Sequence, residues 1–165
     1  MIRRICVVGA ALSAGSLVFG AMEATAASTI APTKVACITK VAIMIDPAAT
    51  VVVPPVQQGT EYGAAKCGKL LGSGVQRDSF MVPDSGDLVA NYTLYFPTGT
   101  LHGRYDLVPQ EGSFTGTNFS EVDYLGTLKV LGGTGAFQGI KGTGKMKCTT
   151  PDGIHTSCTD RFKLT

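Results

Sequence analysis

From Gly126 to Cys148 the chain reads GTLKVLGGTGAFQGIKGTGKMKC, a stretch patterned to fold back on itself as two strands. On the first arm, which begins just upstream, Val122, Tyr124, Gly126, Leu128 and Val130 share one face. Glu121, Asp123, Thr127 and Lys129 take the other, the period of two that marks a half-buried strand. Leu125 and Leu131 are apolar exceptions on the polar side. The second arm sets Ile140, Gly142, Gly144, Met146 and Cys148 against Lys141, Thr143, Lys145 and Lys147, so its second face must be in water. Between the arms, Gly132, Gly133, Gly135 and Gly139 tolerate the positive φ of a tight corner, and Phe137 is the one large apolar group available to plug it.

The same alternation runs through the rest of the chain. Val75 to Val82, Leu88 to Phe96 and Thr100 to Leu107 read as strands, separated by the turn sequences Pro83-Asp84-Ser85-Gly86 and Pro97-Thr98-Gly99. His155 to Leu164 is the last strand and Lys34 to Ile45 the first. Asp46-Pro47 then turns the chain toward a short second strand at Val51 to Val53, ended by Pro54-Pro55. Glu61 to Leu71 reads as a loop tethered by Cys67 over one end of the core. Nothing reads as an amphipathic helix. About eight strands at short intervals, with 21 glycines and no tryptophan, predict an all-β domain, either a sandwich or an up-and-down barrel.

Residues 1–26 carry a different signal. Arg3 and Arg4 precede an apolar run of about 15 residues from Ile5 to Phe19, and Ala24-Thr25-Ala26 has the small-x-small form of a cleavage site. A membrane anchor needs about 20 apolar residues, and Gly9, Ser13, Gly15 and Ser16 interrupt this run before that length. The expectation is a signal peptide over 1–26 and one exported domain over 27–165, its N-terminal part 27–67 and its main strands 68–165. Cleavage removes two arginines and one glutamate and takes the formal charge from +2 to +1. That balance argues against a nucleic-acid partner, which needs many phosphate contacts, and no membrane span is expected in the mature form.

Of the five cysteines, Cys6 leaves with the signal peptide, and an even set of four in an exported domain points to disulfides. Cys148 and Cys158 flank a turn centred on Gly153 that sets them opposite one another; Cys37 with Cys67 follows by elimination. No C-x-x-C pair supports a metal site, so neither metal nor other cofactor is expected.

The segment GTLKVLGGTGAFQGIKGTGKMK resembles the C-terminal signature of plant dirigent proteins and allene oxide cyclases, whose shared core is G-G-[ST]-G-x-F-x-G. NYTLYFPTGTLHGRYDL is similar to a strand pair of the cyclases, and the resemblance spans roughly Gly68 to Leu164. It implies an eight-stranded antiparallel up-and-down β-barrel, commonly trimeric, whose pocket binds a hydrophobic small molecule. In the cyclases that pocket steers an epoxide to one cyclised isomer; in dirigent proteins it orients phenoxy radicals or quinone methides without cofactor. The cyclases' first strand carries a glutamate and asparagines, whereas Lys34 to Ile45 offers only Lys40 and Thr39 among its apolar residues.

Site candidates therefore come from parity. Asp160 shares a face with Cys158, Phe162 and Leu164, which makes it a candidate proton donor, with a strand-end carboxylate paired to Arg161 or Arg77 as the plainer alternative. Arg77 and Asp78 are adjacent, so one of them faces inward as a second catalytic candidate. Tyr92, Tyr105 and Tyr124 lie on apolar faces, either to orient an oxygenated ligand or as packed core. His102 and His155 read as solvated. Asn91-Tyr92-Thr93 and Asn118-Phe119-Ser120 are glycosylation sequons. Two functions fit: a secreted ligand-binding barrel acting as a cofactor-free isomerase, or a non-catalytic exported module that self-associates, with Leu125, Leu131 and Tyr95 outward at a subunit interface.

Overall fold

The structure is a computed structural model and describes residues 32–46, 57–111 and 121–165. The expected signal peptide, the short strand Val51 to Val53 and the sequon at Asn118 lie outside the described residues. Eight strands close into one barrel in sequence order: β1 (Thr33–Ile45), β2 (Gln57–Lys66), β3 (Ser73–Val82), β4 (Leu88–Phe96), β5 (Gly99–Pro109), β6 (Val122–Gly133), β7 (Gly142–Thr150) and β8 (His155–Leu164). Every neighbouring pair is antiparallel, and β8 pairs β1 from Thr33↔Leu164 to Ala42↔His155 to seal the wall. The barrel, not the sandwich, is the outcome of the alternation.

The inner faces are those that period two predicts. Val122, Tyr124, Leu128 and Val130 on β6, Met146 and Cys148 on β7, and Cys158, Asp160, Phe162 and Leu164 on β8 are buried in one continuous core. Glycine sets how tightly the wall can curl. A Cβ on Gly103 would lie 1.9 Å from the Lys129 carbonyl oxygen and 2.7 Å from the Tyr92 hydroxyl, so β6 and the Tyr92 ring both occupy space that any other residue would need. The β5–β6 register shifts next to this position, between His102 and Gly103.

The two ends differ. At one, the β6–β7 corner clamps the β4–β5 turn through the amide of Ala136 on the Thr98 carbonyl, 2.9 Å. Phe137 is buried there, edge-on to Phe96 with centroids 5.6 Å apart, and Gly135 and Gly139 take φ of 59° and 77° to form the corner. The predicted stopper closes this end. The other end carries the β3–β4 and β7–β8 turns and the connections that pass through 47–56 and 112–120.

Both disulfides form, Cys37–Cys67 and Cys148–Cys158, and all four residues are buried inside the wall. One expectation is corrected. Glu61 to Leu71 is not a loop: Gln57–Lys66 is strand β2, paired over most of its length with β1 and throughout with β3, and Gly68–Leu71 is one turn of helix, α1. Glycines and alanines make β2 a poor strand by propensity, but hydrogen bonding on both edges overrides that.

Candidate functional site

Inside a barrel the informative residues are the polar ones, because each must find a partner in a place without water. Glu61 on β2 and Asp78 on β3 are directly opposed in the register, both inward, at 2% and 0% exposure. The Tyr105 hydroxyl of β5 reaches across to both, 3.3 Å from Glu61 Oε2 and 3.2 Å from Asp78 Oδ2. It has one proton to donate, so it donates to one carboxylate while the other carboxyl, when protonated, is free to donate back. The Gln76 amide donates to Asp78 Oδ2 at 2.6 Å.

These surroundings divide the roles of the two acids. Burial pushes the Glu61 carboxyl well up, and the charge of Asp78 beside it pushes it further. Burial also raises Asp78, but its hydrogen bonds from Gln76, Glu61 and Tyr105 favour its ionised form and hold it below Glu61. The pair therefore shares one proton around neutral pH, held mainly on Glu61.

Asp160 is a third buried acid, 5% exposed, on β8 opposite Cys37. Desolvation, followed by the charge of Asp78, lifts its pKa from 3.8 to about 7. Its Oδ1, like Asp78 Oδ1 and Thr39 Oγ1, has no hydrogen-bond partner among the described residues. Asp160 shares a small cavity of about 10 Å³ with Gln76, Tyr92, Tyr105 and Met146, about the volume one water fills.

Tyr92 and Tyr105 stack with centroids 6.2 Å apart, and the Tyr92 hydroxyl donates to the Lys129 carbonyl at 3.4 Å. Burial raises all three phenols, Tyr124 to about 12, so they stay neutral donors. Tyr124 lies nearest the open end, where it joins Ile43, Phe80, Val82, Leu88, Thr156 and Glu61 around a funnel. That funnel encloses about 350 Å³ including space open to solvent, of which about 20 Å³ has room for the centre of a water molecule. Apolar walls with a carboxyl among their lining are the general form of a small-molecule site.

Of the sequence candidates, Asp78, Asp160, Tyr92, Tyr105 and Tyr124 all face the interior. Arg77 does not: it points outward, its guanidinium 5.8 Å from the centre of the Tyr62 ring, and leaves the site to Asp78. Asp160 pairs with neither arginine. His102 and His155 are exposed, as expected. The sequence reading missed Glu61 and Gln76. Parity held the signal for Glu61, since it stands six residues before Cys67 and so shares the face of a cysteine expected to be bonded inside.

No protein family, curated protein or solved structure matches the chain. Fold and site define it as a closed eight-stranded antiparallel β-barrel, plugged at one end and carrying a buried acidic cluster below the other. Among the described residues no group of three or more His, Cys, Asp or Glu is placed to hold a metal ion, and no helix is long and apolar enough to cross a membrane.

Proposed function

We propose that this is an exported barrel that takes a small, uncharged hydrophobic molecule into its open end and steers its cyclisation or stereochemistry by shape and proton transfer, without cofactor. It would then act like the allene oxide cyclases and dirigent proteins that its GGTGAFQG corner resembles. The observation that carries the reading is the Glu61–Asp78–Tyr105 cluster beneath an apolar funnel. Three raised carboxyls inside a barrel are costly to retain for packing alone, and a carboxylic acid still protonated near neutrality is what a general acid requires. Glu61 is the donor to a ligand oxygen; Tyr105 orients that oxygen; Asp78 stays ionised and favours return of the proton to Glu61.

An uncharged ligand follows from the rim. Asp46, Asp84, Asp87, Glu111, Glu121 and Asp152 all lie in or beside the connections at the open end, so a carboxylate ligand meets repulsion outside and again within. Secretion agrees with the two disulfides, which form and persist in oxidising compartments. A homotrimer is part of the proposal. Among the outward apolar residues, Tyr95 stands opposite Val75 and Met81 opposite Val89 on the β3–β4 wall, which we assign to the subunit contact, and Leu125 stands opposite Val108.

The second reading, a filled structural barrel, rests on the small interior spaces of about 20 and 10 Å³, which hold water but not a ligand without side-chain movement. Titration of the purified protein with Nile red, a neutral polarity-sensitive dye, separates the two. Saturable binding near one site per chain, weakened by a bulky substitution such as Leu88→Trp at the funnel, supports the pocket and justifies an isomerase screen with Glu61→Gln. A folded protein that binds no neutral apolar probe leaves the structural module.

A further inference from the structure

The outer wall of β5 to β8 and β1 carries a charge pattern that neither the barrel nor its pocket needs. Three cross-strand pairs set cation directly against cation: Arg104 against Lys129, Lys145 against Arg161, and Lys163 against Lys34. Like charges opposed across a sheet are destabilising. The chain has acids available, but six of them stand at the open end instead. On this wall the ion pair among the described residues is Lys147 with Asp123, at 4.0 Å and largely in water. The six opposed cations are all exposed.

Two further features define what such a wall fits. A solvent-open depression of about 390 Å³ is lined by Lys34, Arg161 and Lys163 together with Ala36 and Thr143, which gathers three cations around one space. Along the flank, Val108 and Leu125 oppose one another in the register at 54% and 47% exposure, with Lys147 the next residue across and Asp106 and Asp123 two residues away on the same face. Aliphatic side chains interleaved with lysines are the chemistry of a membrane interface, where lysines snorkel to headgroups while short apolar groups enter the acyl boundary. A single-stranded nucleic acid would call for aromatic stacking platforms, and the outward positions of β6, β7 and β8 carry no Phe, Tyr or Trp. The mid-strand lysines likewise exclude a barrel that spans the bilayer with this face in lipid.

We infer that this wall is a peripheral docking surface for an anionic phospholipid membrane, laying the barrel on its side with the open end free. Attraction of this kind gives about fivefold in affinity for each Lys or Arg brought to the surface and weakens as salt shortens the screening length. It does not rest on the proposed pocket function.

The test is co-sedimentation of the purified protein with phosphatidylcholine vesicles, with and without about one-third phosphatidylglycerol, at low and high salt. Binding is expected to the anionic vesicles alone, falling about fivefold with each of Lys145→Ala and Arg161→Ala and falling again with Leu125→Ser. Far-UV circular dichroism keeps the comparison to folded variants. Three results overturn the inference: no binding to anionic vesicles, equal binding to neutral ones, or binding to double-stranded DNA as tight as to vesicles with Leu125→Ser without effect.

Discussion

Replacing Asp160 with asparagine should flatten the dependence of stability on pH. The carboxyl is almost wholly buried, its Oδ1 has no partner among the described residues, and desolvation is the chief cause that lifts its pKa from 3.8 to about 7. The folded protein therefore binds this proton more tightly than the unfolded chain does. The stability this contributes is complete below about pH 4 and is lost as the pH rises through about 7. A shift of about three units at 1.36 kcal/mol each makes the loss roughly 4 kcal/mol by pH 8.

Urea unfolding followed by circular dichroism, disulfides intact, measures this directly. For slopes of roughly 2 kcal/mol per molar urea, the wild-type midpoint should fall by about 2 M from this group between about pH 4 and pH 8. Asp160→Asn keeps the shape and removes the titration, so its midpoint should fall less by that amount. The asparagine amide finds no better partner than the carboxyl did, so a uniform offset is expected; the difference in slope is the readout. Glu61 and Asp78 remain in the variant and keep part of the slope. Parallel wild-type and variant curves, or a wild type that gains stability as pH rises over this window, would refute the reasoning.

Tyr105→Phe removes the hydroxyl between Glu61 and Asp78; it should destabilise the fold by about 1–3 kcal/mol and raise the Asp78 pKa further, seen by carboxyl NMR titration. Removing the Cys37–Cys67 bridge, which closes 30 residues, should cost about 3.6 kcal/mol, and Cys148–Cys158, which closes 10, about 2.7 kcal/mol; denaturant unfolding of the paired serine variants ranks them. Phe137→Ala opens the plugged end and should cost about 3–5 kcal/mol by the same assay while leaving dye binding at the funnel intact.

The parts of this fold that were legible in the sequence are those where one face is apolar and the other is not. β6, β7 and β8 show this, and so their inner faces follow from parity, while the disulfide between β7 and β8 follows from the turn centred on Gly153 and the Phe137 stopper from the glycines around it. β3 was harder because Val75 and Met81 point outward at 52% and 46% exposure while Phe80 and Val82 point in, so both faces look apolar. That is why Arg77 and Asp78 could not be separated by sequence. β2 was lost altogether, since its inward positions are glycine and alanine apart from Gln57 and Glu61, and a strand defined by its neighbours' hydrogen bonds leaves little trace in its own residues. The centre of the site lay on the strand with the weakest signal.

That coincidence has a physical cause. Glu61 can be held inside only where the wall around it is thin: a Cβ at Gly63 would lie 1.8 Å from the Lys40 carbonyl oxygen, and one at Gly59 would lie 2.2 Å from that of Met44. Small residues on either side let β2 press against β1, and the space left in front of them is where the carboxyl and the Tyr105 hydroxyl meet. A barrel selected for stability alone would fill this space with branched aliphatics, whose burial stabilises without any partner. This one keeps Glu61, Asp78 and Asp160 there, with two of their oxygens unpartnered among the described residues, and so accepts a penalty that grows with pH. A ligand oxygen or hydroxyl that enters the funnel and pairs with Glu61, the one of these acids in its lining, would relieve part of that penalty. Binding of an oxygenated apolar molecule should accordingly be tighter than binding of a hydrocarbon of the same size, by an amount that disappears in Glu61→Leu.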